Sequence, residues 1–290
     1  MKLRIFIIAS VVCVCALIVV GQSKKRPAPS PSPSPKLSWT TVYEEIKWQK
    51  GPSLGDLGDK AQVKVPDGYV FADADDTRVI MEANHNPTTG REIGFVAPDG
   101  ENWFAVFEFD DVGYVKDDEK DSLDTNALLE SIKEGTAAGN QERAKRGWPT
   151  MTILGWETPP RYNDLTHNLE WAVRAQSEGE PVINHNTRLL GRGGVMEVTL
   201  VVDPSLLQET MPKFKAMLEG FEYKTGHKYA EFRAGDKTAA YGLTGLIVAG
   251  GTATLVKTGA FKWIWKGLVA AALAIGAFVK KIFSRRSDAA

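Results

Sequence analysis

Trp103-Phe104-Ala105-Val106-Phe107-Glu108-Phe109 places Trp103, Ala105, Phe107 and Phe109 on one face of an extended chain. Residues 195–202 repeat the pattern, with Met196, Val198, Leu200 and Val202 on the apolar side. A period of two over such lengths marks half-buried strands and excludes helices. Residues 151–156 read as another strand. Leu165, His167, Leu169, Trp171 and Val173 alternate along the next, and residues 182–190 form a third. The Gly191-Arg192-Gly193-Gly194 segment is a natural turn into 195–202. These four strands predict an antiparallel meander.

Outward from the strands, helix signals appear. Asp124 reads as a cap, with Leu128, Leu129 and Ile132 as the apolar face behind it. Arg143, Lys145 and Arg146 crowd the last turns, Gly147 suits the end, and Pro149 follows. Asp203-Pro204 starts a second helix, which Pro212 kinks or restarts and Gly220 ends. Residues 61–65 and 69–71 read as short strands parted by the turn Pro66-Asp67-Gly68. The fold class predicted is α+β: an antiparallel sheet with flanking helices, plus a C-terminal transmembrane helix or helical hairpin. The order of elements is similar to the small sandwich folds of photosystem-associated lumenal proteins, an analogy of fold alone.

The two ends point to export and a membrane. Residues 1–21 have a basic start (Lys2, Arg4), an apolar run and small residues before Gln22, as a signal peptide does; an uncleaved signal anchor is the alternative. Residues 22–38 are a Pro/Ser-rich spacer, suited to extended polyproline geometry. The main extracytoplasmic domain is read as 39–238. Residues 239–256 are an uncharged apolar helix and a possible second span, with Gly245, Ala249 and Ala253 on one face. Residues 257–290 are read as a membrane anchor with a basic tail. Trp263 and Trp265 mark one interface, and Lys280, Lys281, Arg285 and Arg286 the other. The positive-inside bias favours a single span; the small-residue stripe favours a hairpin.

The formal net charge of −1 hides a strong asymmetry. Residues 37–237 carry 35 acidic and 22 basic side chains, a balance of −13. Such a domain repels phosphate backbones, so no nucleic-acid partner is expected. The two cysteines, Cys13 and Cys15, lie in the N-terminal apolar run, so a cleaved chain has no thiol for disulfides, nucleophiles or metal ligation.

Motifs for catalysis are missing: there is no Gly-x-Ser-x-Gly, no His-Glu-x-x-His and no phosphate loop. Asp110, Asp111, Asp117, Asp118, Asp121 and Asp124 crowd a short span. Calcium ligation competes there with a solvated loop, a cap at Asp124 and a first-turn dipole partner at Asp121. Two of the four histidines, His85 and His185, sit in Asn-His-Asn triplets, read as a turn (84–86) and a strand edge (184–186). Trp103, Trp156, Trp171 and Tyr162 have the spacing of core residues more than of a pocket. No catalytic, metal or cofactor residue is assigned, and no cofactor is expected.

Several segments together resemble a bacterial family of predicted membrane-anchored proteins classed as a domain of unknown function. They are Lys47-Trp48 with Gly51-Pro52, residues 103–116 (WFAVFEFDDVGYVK), Gly155-Trp156, Asn184 with Leu190-Gly191-Arg192, and Asp236-Lys237 with residues 240–243. The resemblance implies an exported domain with a C-terminal anchor and supplies no substrate, cofactor or catalytic residue. The expected function is a membrane-anchored, non-catalytic envelope protein that binds a partner protein or small ligand. Its main domain lies outside the cytoplasm, on the periplasmic side in a diderm cell, and the lipid bilayer is its other partner. Two alternatives stand beside this: a membrane-bound hydrolase with a carboxylate/His site, and an accessory subunit of a membrane complex.

Overall fold

The strand at Trp103–Asp110 pairs antiparallel with the one at Val195–Val202 along its whole length, Trp103 opposite Val202 and Asp110 opposite Val195. This long-range pairing fuses two halves of the chain into one sheet. The computed structural model describes residues 39–100 and 102–249. The expected signal peptide, the spacer, Ala253 and the anchor with Trp263, Trp265, Lys280, Lys281, Arg285 and Arg286 lie outside the described residues.

The elements in order are α1 (Trp39–Glu45), β1 (Gln49–Lys50), β2 (Ser53–Leu57), β3 (Ala61–Val65), β4 (Tyr69–Ala72), α2 (Ala74–Ala83), β5 (Glu92–Pro98) and β6 (Trp103–Asp110). Next come α3 (Thr125–Lys145), β7 (Met151–Asn163), β8 (Asn168–Ser177), β9 (Glu180–Leu190) and β10 (Val195–Val202). A 3₁₀ turn at Pro204–Leu206 leads into α4 (Leu207–Leu218), then β11 (Phe221–Tyr223) and α5 (Leu243–Ala249).

The α+β expectation holds, with a larger sheet than the meander. Eight antiparallel strands run in the order β1-β4-β5-β6-β10-β9-β8-β7, and β11-β3-β2 form a separate small sheet. The turn at Gly68, whose φ of +76° favours glycine, carries the chain from the small sheet to the large one. Residues 61–65 and 69–72 are therefore successive strands of different sheets.

The alternation assigns the faces as expected. Trp103, Ala105 and Phe107 of β6 join Met196, Val198, Leu200 and Val202 of β10 in one buried cluster. The small sheet and Phe214 and Met217 of α4 cover that cluster. Packing there is close: a Cβ on Gly94 would lie 2.5 Å from Leu57 Cδ2 and 2.9 Å from Phe71 Cε2. The other face carries the helices. Val42 of α1, Ile46 just after it and Ile80 of α2 pack on Phe95 and Val106, while Leu128 of α3 and Leu243, Leu246 and Ile247 of α5 pack around Trp171.

Three expectations change. β7 runs on to Asn163 and forms a sheet edge, protected by Pro159, Pro160 and three register shifts. Leu165 and His167 sit in the β7–β8 turn, not in a strand, and Leu165 is 93% exposed. The first apolar stretch begins as domain structure, because α5 has seven residues and its Leu243, Leu246 and Ile247 are buried. Among the described residues no helix is long and apolar enough to cross a membrane.

Candidate functional site

A strand alternates two faces, and the polar alternants of β6 and β10 do not meet water here. They face the helices. Across four neighbouring strands Glu92, Glu108, Glu197 and Arg188 stand opposite one another in one row. Glu92, Glu197 and Arg188 are almost fully buried, at 1%, 2% and 1% exposure. Burying charges at this depth is tolerated only with partners.

The partners are specific. Arg188 Nη2 lies 3.2 Å from Glu197 Oε2, and its guanidinium covers the Trp171 ring at 4.7 Å. Arg91, just before β5, reaches Glu197 at 3.3 Å, Asp110 at 3.4 Å and Glu108 at 3.7 Å. Burial opposes the Arg91 charge, but these three carboxylates outweigh it and raise its pKa. Glu92 is held by local backbone: Thr89 N–H donates to Oε1 at 2.6 Å and Gly90 N–H to Oε2 at 2.9 Å. Tyr241, just before α5, donates its hydroxyl to Asp110 Oδ2 at 3.2 Å.

Glu108 has the poorest company. It meets the Thr89 hydroxyl at 3.0 Å and the more distant Arg91 at 3.7 Å. Thr89 Oγ1 also lies 3.0 Å from Glu92 Oε1 and accepts from Arg91 N–H at 3.2 Å. A hydroxyl has one proton and cannot donate to both carboxylates. A proton on Glu108, donated to Thr89, resolves the conflict: Thr89 then accepts twice and donates once, to Glu92. Burial first, then Glu197 and Glu92, push the Glu108 carboxyl up to about 7, with Arg91 and the Thr89 hydroxyl opposing. Burial and Glu197 likewise raise the pKa of Asp110 against the pull of Arg91.

Glu108 opens onto a cleft of about 770 Å³ between α2, α3 and the sheet. Its floor adds Asn184, Asn186, Thr199, Trp171 and Val173. One wall is apolar, with Ile132 of α3, Met151 and Ile153 of β7, and Ile247 of α5. The opposite rim carries Asn86, Thr88 and Thr89. Arg143 bridges the walls, donating to Asn86 Oδ1 and Pro149 O, both at 3.0 Å. The volume falls within the roughly 300–1,000 Å³ typical of small-molecule sites, and the mixture of apolar wall and converging polar groups is typical too.

The residues singled out by sequence divide. Both Asn-His-Asn triplets contribute their asparagines Asn86, Asn184 and Asn186 to this cleft. The second triplet lies in β9, an interior strand, so it is not at an edge. The histidines turn elsewhere: His85, at φ +57°, packs near Trp148, and His185 meets Phe214 on the opposite sheet face. Burial, then Lys215, lowers the His185 pKa to about 4.

The acidic run is dispersed. Asp124 caps α3, accepting from Asn126 N–H and Ala127 N–H. Asp121 precedes that cap and is no first-turn partner, because the helix starts at Thr125. Asp111 and Asp118 are exposed. Asp117 accepts from the Tyr162 hydroxyl at 2.7 Å beside His167; burial opposes its charge, but this bond, a backbone hydrogen bond and the nearby His167 and Lys120 together outweigh it and lower its pKa. Among the described residues no group of three or more His, Cys, Asp or Glu has metal-holding geometry. A hydrolase using the acidic run and the triplet histidines would need Asp110, Asp111, Asp117, His85 and His185 together, and they lie apart: Asp110 by Arg91, Asp117 by Tyr162, His85 by Trp148 and His185 by Phe214. Sequence reasoning missed Arg91, Glu92, Glu108, Arg188 and Glu197. Their signal was a charged residue at one pairing level in each of several otherwise apolar strands.

No curated protein matches this chain. Among solved structures, the chain is similar to the solution structure of cyanobacterial PsbP (CyanoP) from Synechocystis sp. PCC 6803. The identity is 11%, with 62% of this chain and 92% of that one covered, at a TM-score of 0.36. It is also similar to PA94, a protein of unknown function from Pseudomonas aeruginosa, at 14% identity, 58% and 93% coverage and a TM-score of 0.24. The family profile described as "Protein of unknown function (DUF2167)" matches residues 49–280, in agreement with the resemblance carried by the short motifs. The chain belongs to this DUF2167 family of proteins of unknown function.

Proposed function

We propose that the domain is a non-catalytic ligand-binding module of the bacterial envelope, held at a membrane by the residues that follow α5. The observation that carries the binding role is the cleft of about 770 Å³, whose floor replaces core side chains with Asn184, Asn186, Thr199 and Glu108. The envelope and membrane parts of the reading rest on the apolar runs at both ends and the basic C-terminal tail.

The test is a thermal-shift screen of the whole chain against a library of neutral, anionic and cationic small molecules. Binders should raise the melting temperature of the wild type and lose their effect in Asn184→Trp, which fills the floor. A screen without binders, or binders indifferent to Asn184→Trp, overturns the reading.

A further inference from the structure

Resting on that reading of the cleft, we infer that Asn184 recognises the ligand and that the ligand presents an uncharged carboxamide, which pairs with the Asn184 side-chain amide through two hydrogen bonds.

Asparagine is a poor strand residue, because its short polar side chain packs badly on a sheet and competes for backbone hydrogen bonds. β9 is an interior strand, yet it turns both Asn184 and Asn186 toward the cleft. The register fixes their neighbours. Asn186 stands between Trp171 of β8 and Thr199 of β10, and Asn184 between Val173 of β8 and Val201 of β10. These residues lie on three adjacent strands, and all but Val201 line the cleft. The two amides differ in what they have left to offer. Asn186 Oδ1 accepts from the Thr199 hydroxyl at 3.3 Å, and its Nδ2 donates to Asn184 O at 3.2 Å. The half-buried side-chain amide of Asn184 has no hydrogen-bond partner among the described residues. One acceptor and two N–H donors are therefore open to the cleft at that point.

The charged groups of the cleft are engaged elsewhere. The row of Glu108, Glu197 and Arg188 crosses β9 at Arg188, about 13 Å along the strand from Asn184. Arg91 is held in that row by Glu197, Asp110 and Glu108. At the end of α3, Arg146 pairs with Glu142 and Glu82, and Lys145 is exposed near Glu142. Arg143 spends its Nη atoms on Pro149 and Asn86, and the C-terminal carbonyls of its helix complement its charge. An ion at Asn184 would leave water without gaining a counter-charge. A carboxamide sets one acceptor beside one donor and matches the Asn184 amide on both; a single hydroxyl cannot serve both with good geometry. Apolar parts of the ligand next to the amide meet Val173 and Trp171, the residues opposite Asn184 and Asn186 on β8.

The experiment is calorimetric titration of the whole chain at pH 7 with three probes of one shape: benzamide, benzoate and benzamidine, which are neutral, anionic and cationic. Benzamide should bind best, and the loss of two neutral hydrogen bonds in Asn184→Leu should weaken it about tenfold. Asn184→Asp keeps the size of the side chain but presents acceptors alone, so it should move the preference to benzamidine. Asn184→Trp should block all three probes, and thermal melting checks that each variant is folded. Equal or tighter binding of benzoate or benzamidine to the wild type, or a benzamide preference that survives Asn184→Leu, overturns the carboxamide assignment while leaving the cleft as a binding site. If Asn184→Leu does not fold, an unmoved preference in Asn184→Asp overturns it instead. Absence of probe binding, where the library screen yields binders that Asn184→Trp blocks, also overturns the carboxamide alone. Absence of probe binding together with an empty library screen overturns both.

Discussion

Arg188 Nη2 stands 3.2 Å from Glu197 Oε2 between paired positions of β9 and β10, with both side chains almost wholly out of water. Removing one member leaves the other charge buried with fewer partners, which costs about 3–5 kcal/mol in comparable pairs. Arg188→Met should lower the unfolding free energy by that order. Arg188→Met with Glu197→Leu should cost clearly less than the two single changes added, because no lone charge remains at the pair. Urea unfolding of the four forms checks this. A cost below about 0.5 kcal/mol for Arg188→Met would show that the row is not sealed from solvent.

Glu108 predicts a stability slope in the neutral range. Its carboxyl titrates at about 7 in the fold against an ordinary 4.5, so the folded state keeps a proton that the unfolded chain releases. The associated stabilisation is complete below about pH 4.5 and is lost as pH rises through 7. Urea midpoints should therefore fall between pH 5 and pH 8, and Glu108→Gln should flatten that fall. A wild type and variant with parallel profiles would remove Glu108 as the source.

His185 predicts the opposite limb. Its burial against Phe214 favours the neutral ring and lowers its pKa to about 4 from 6.5. This contribution is present above about pH 6.5 and is lost as pH falls through 4, because the unfolded chain takes up the proton first. The His185 ring resonances should titrate with a midpoint near 4, and His185→Gln should remove this part of the acid slope. A midpoint near 6.5 would place the ring in water.

The sheet was legible where alternation was strong. The Trp103, Ala105, Phe107, Phe109 and the Met196, Val198, Leu200, Val202 faces both appear as read, as do the Asp124 cap and the Gly147 end of α3. Pairing partners were not legible, because nothing local in residues 103–110 names residues 195–202 as neighbours. Short elements escaped for a related reason: β2 and β11 have five and three residues and too few alternations to stand out. The candidate site was hidden by the usual reading of an antiparallel strand as apolar inside and polar outside. By that reading Glu108 and Glu197 belong to the wet side, yet helices cover it. Of the site's residues, Asn86, Asn184 and Asn186 stand out in sequence beside the histidines, Asp110 in the acidic run and Trp171 as a core aromatic.

Tyr223 should prove a structural keystone of the β9–β10 turn. Its hydroxyl donates to Leu189 O at 2.7 Å and accepts from Met196 N–H at 2.8 Å, and Leu189 and Met196 are opposite one another in the register. Burial raises the phenol pKa, so it stays protonated and able to donate. Tyr223→Phe leaves a buried carbonyl and a buried N–H without this partner, for a cost of about 1–3 kcal/mol. The neighbouring glycine is part of the same fit, since a Cβ on Gly191 would lie 2.7 Å from Tyr223 Cζ. Gly191→Ala must therefore push the ring off both bonds or strain the turn. In Tyr223→Phe the bonds are already gone, so adding Gly191→Ala should cost less there than in the wild type. Unfolding free energies of the two single variants and the double variant decide the matter: strict additivity would mean that the ring yields to the methyl group without losing either hydrogen bond.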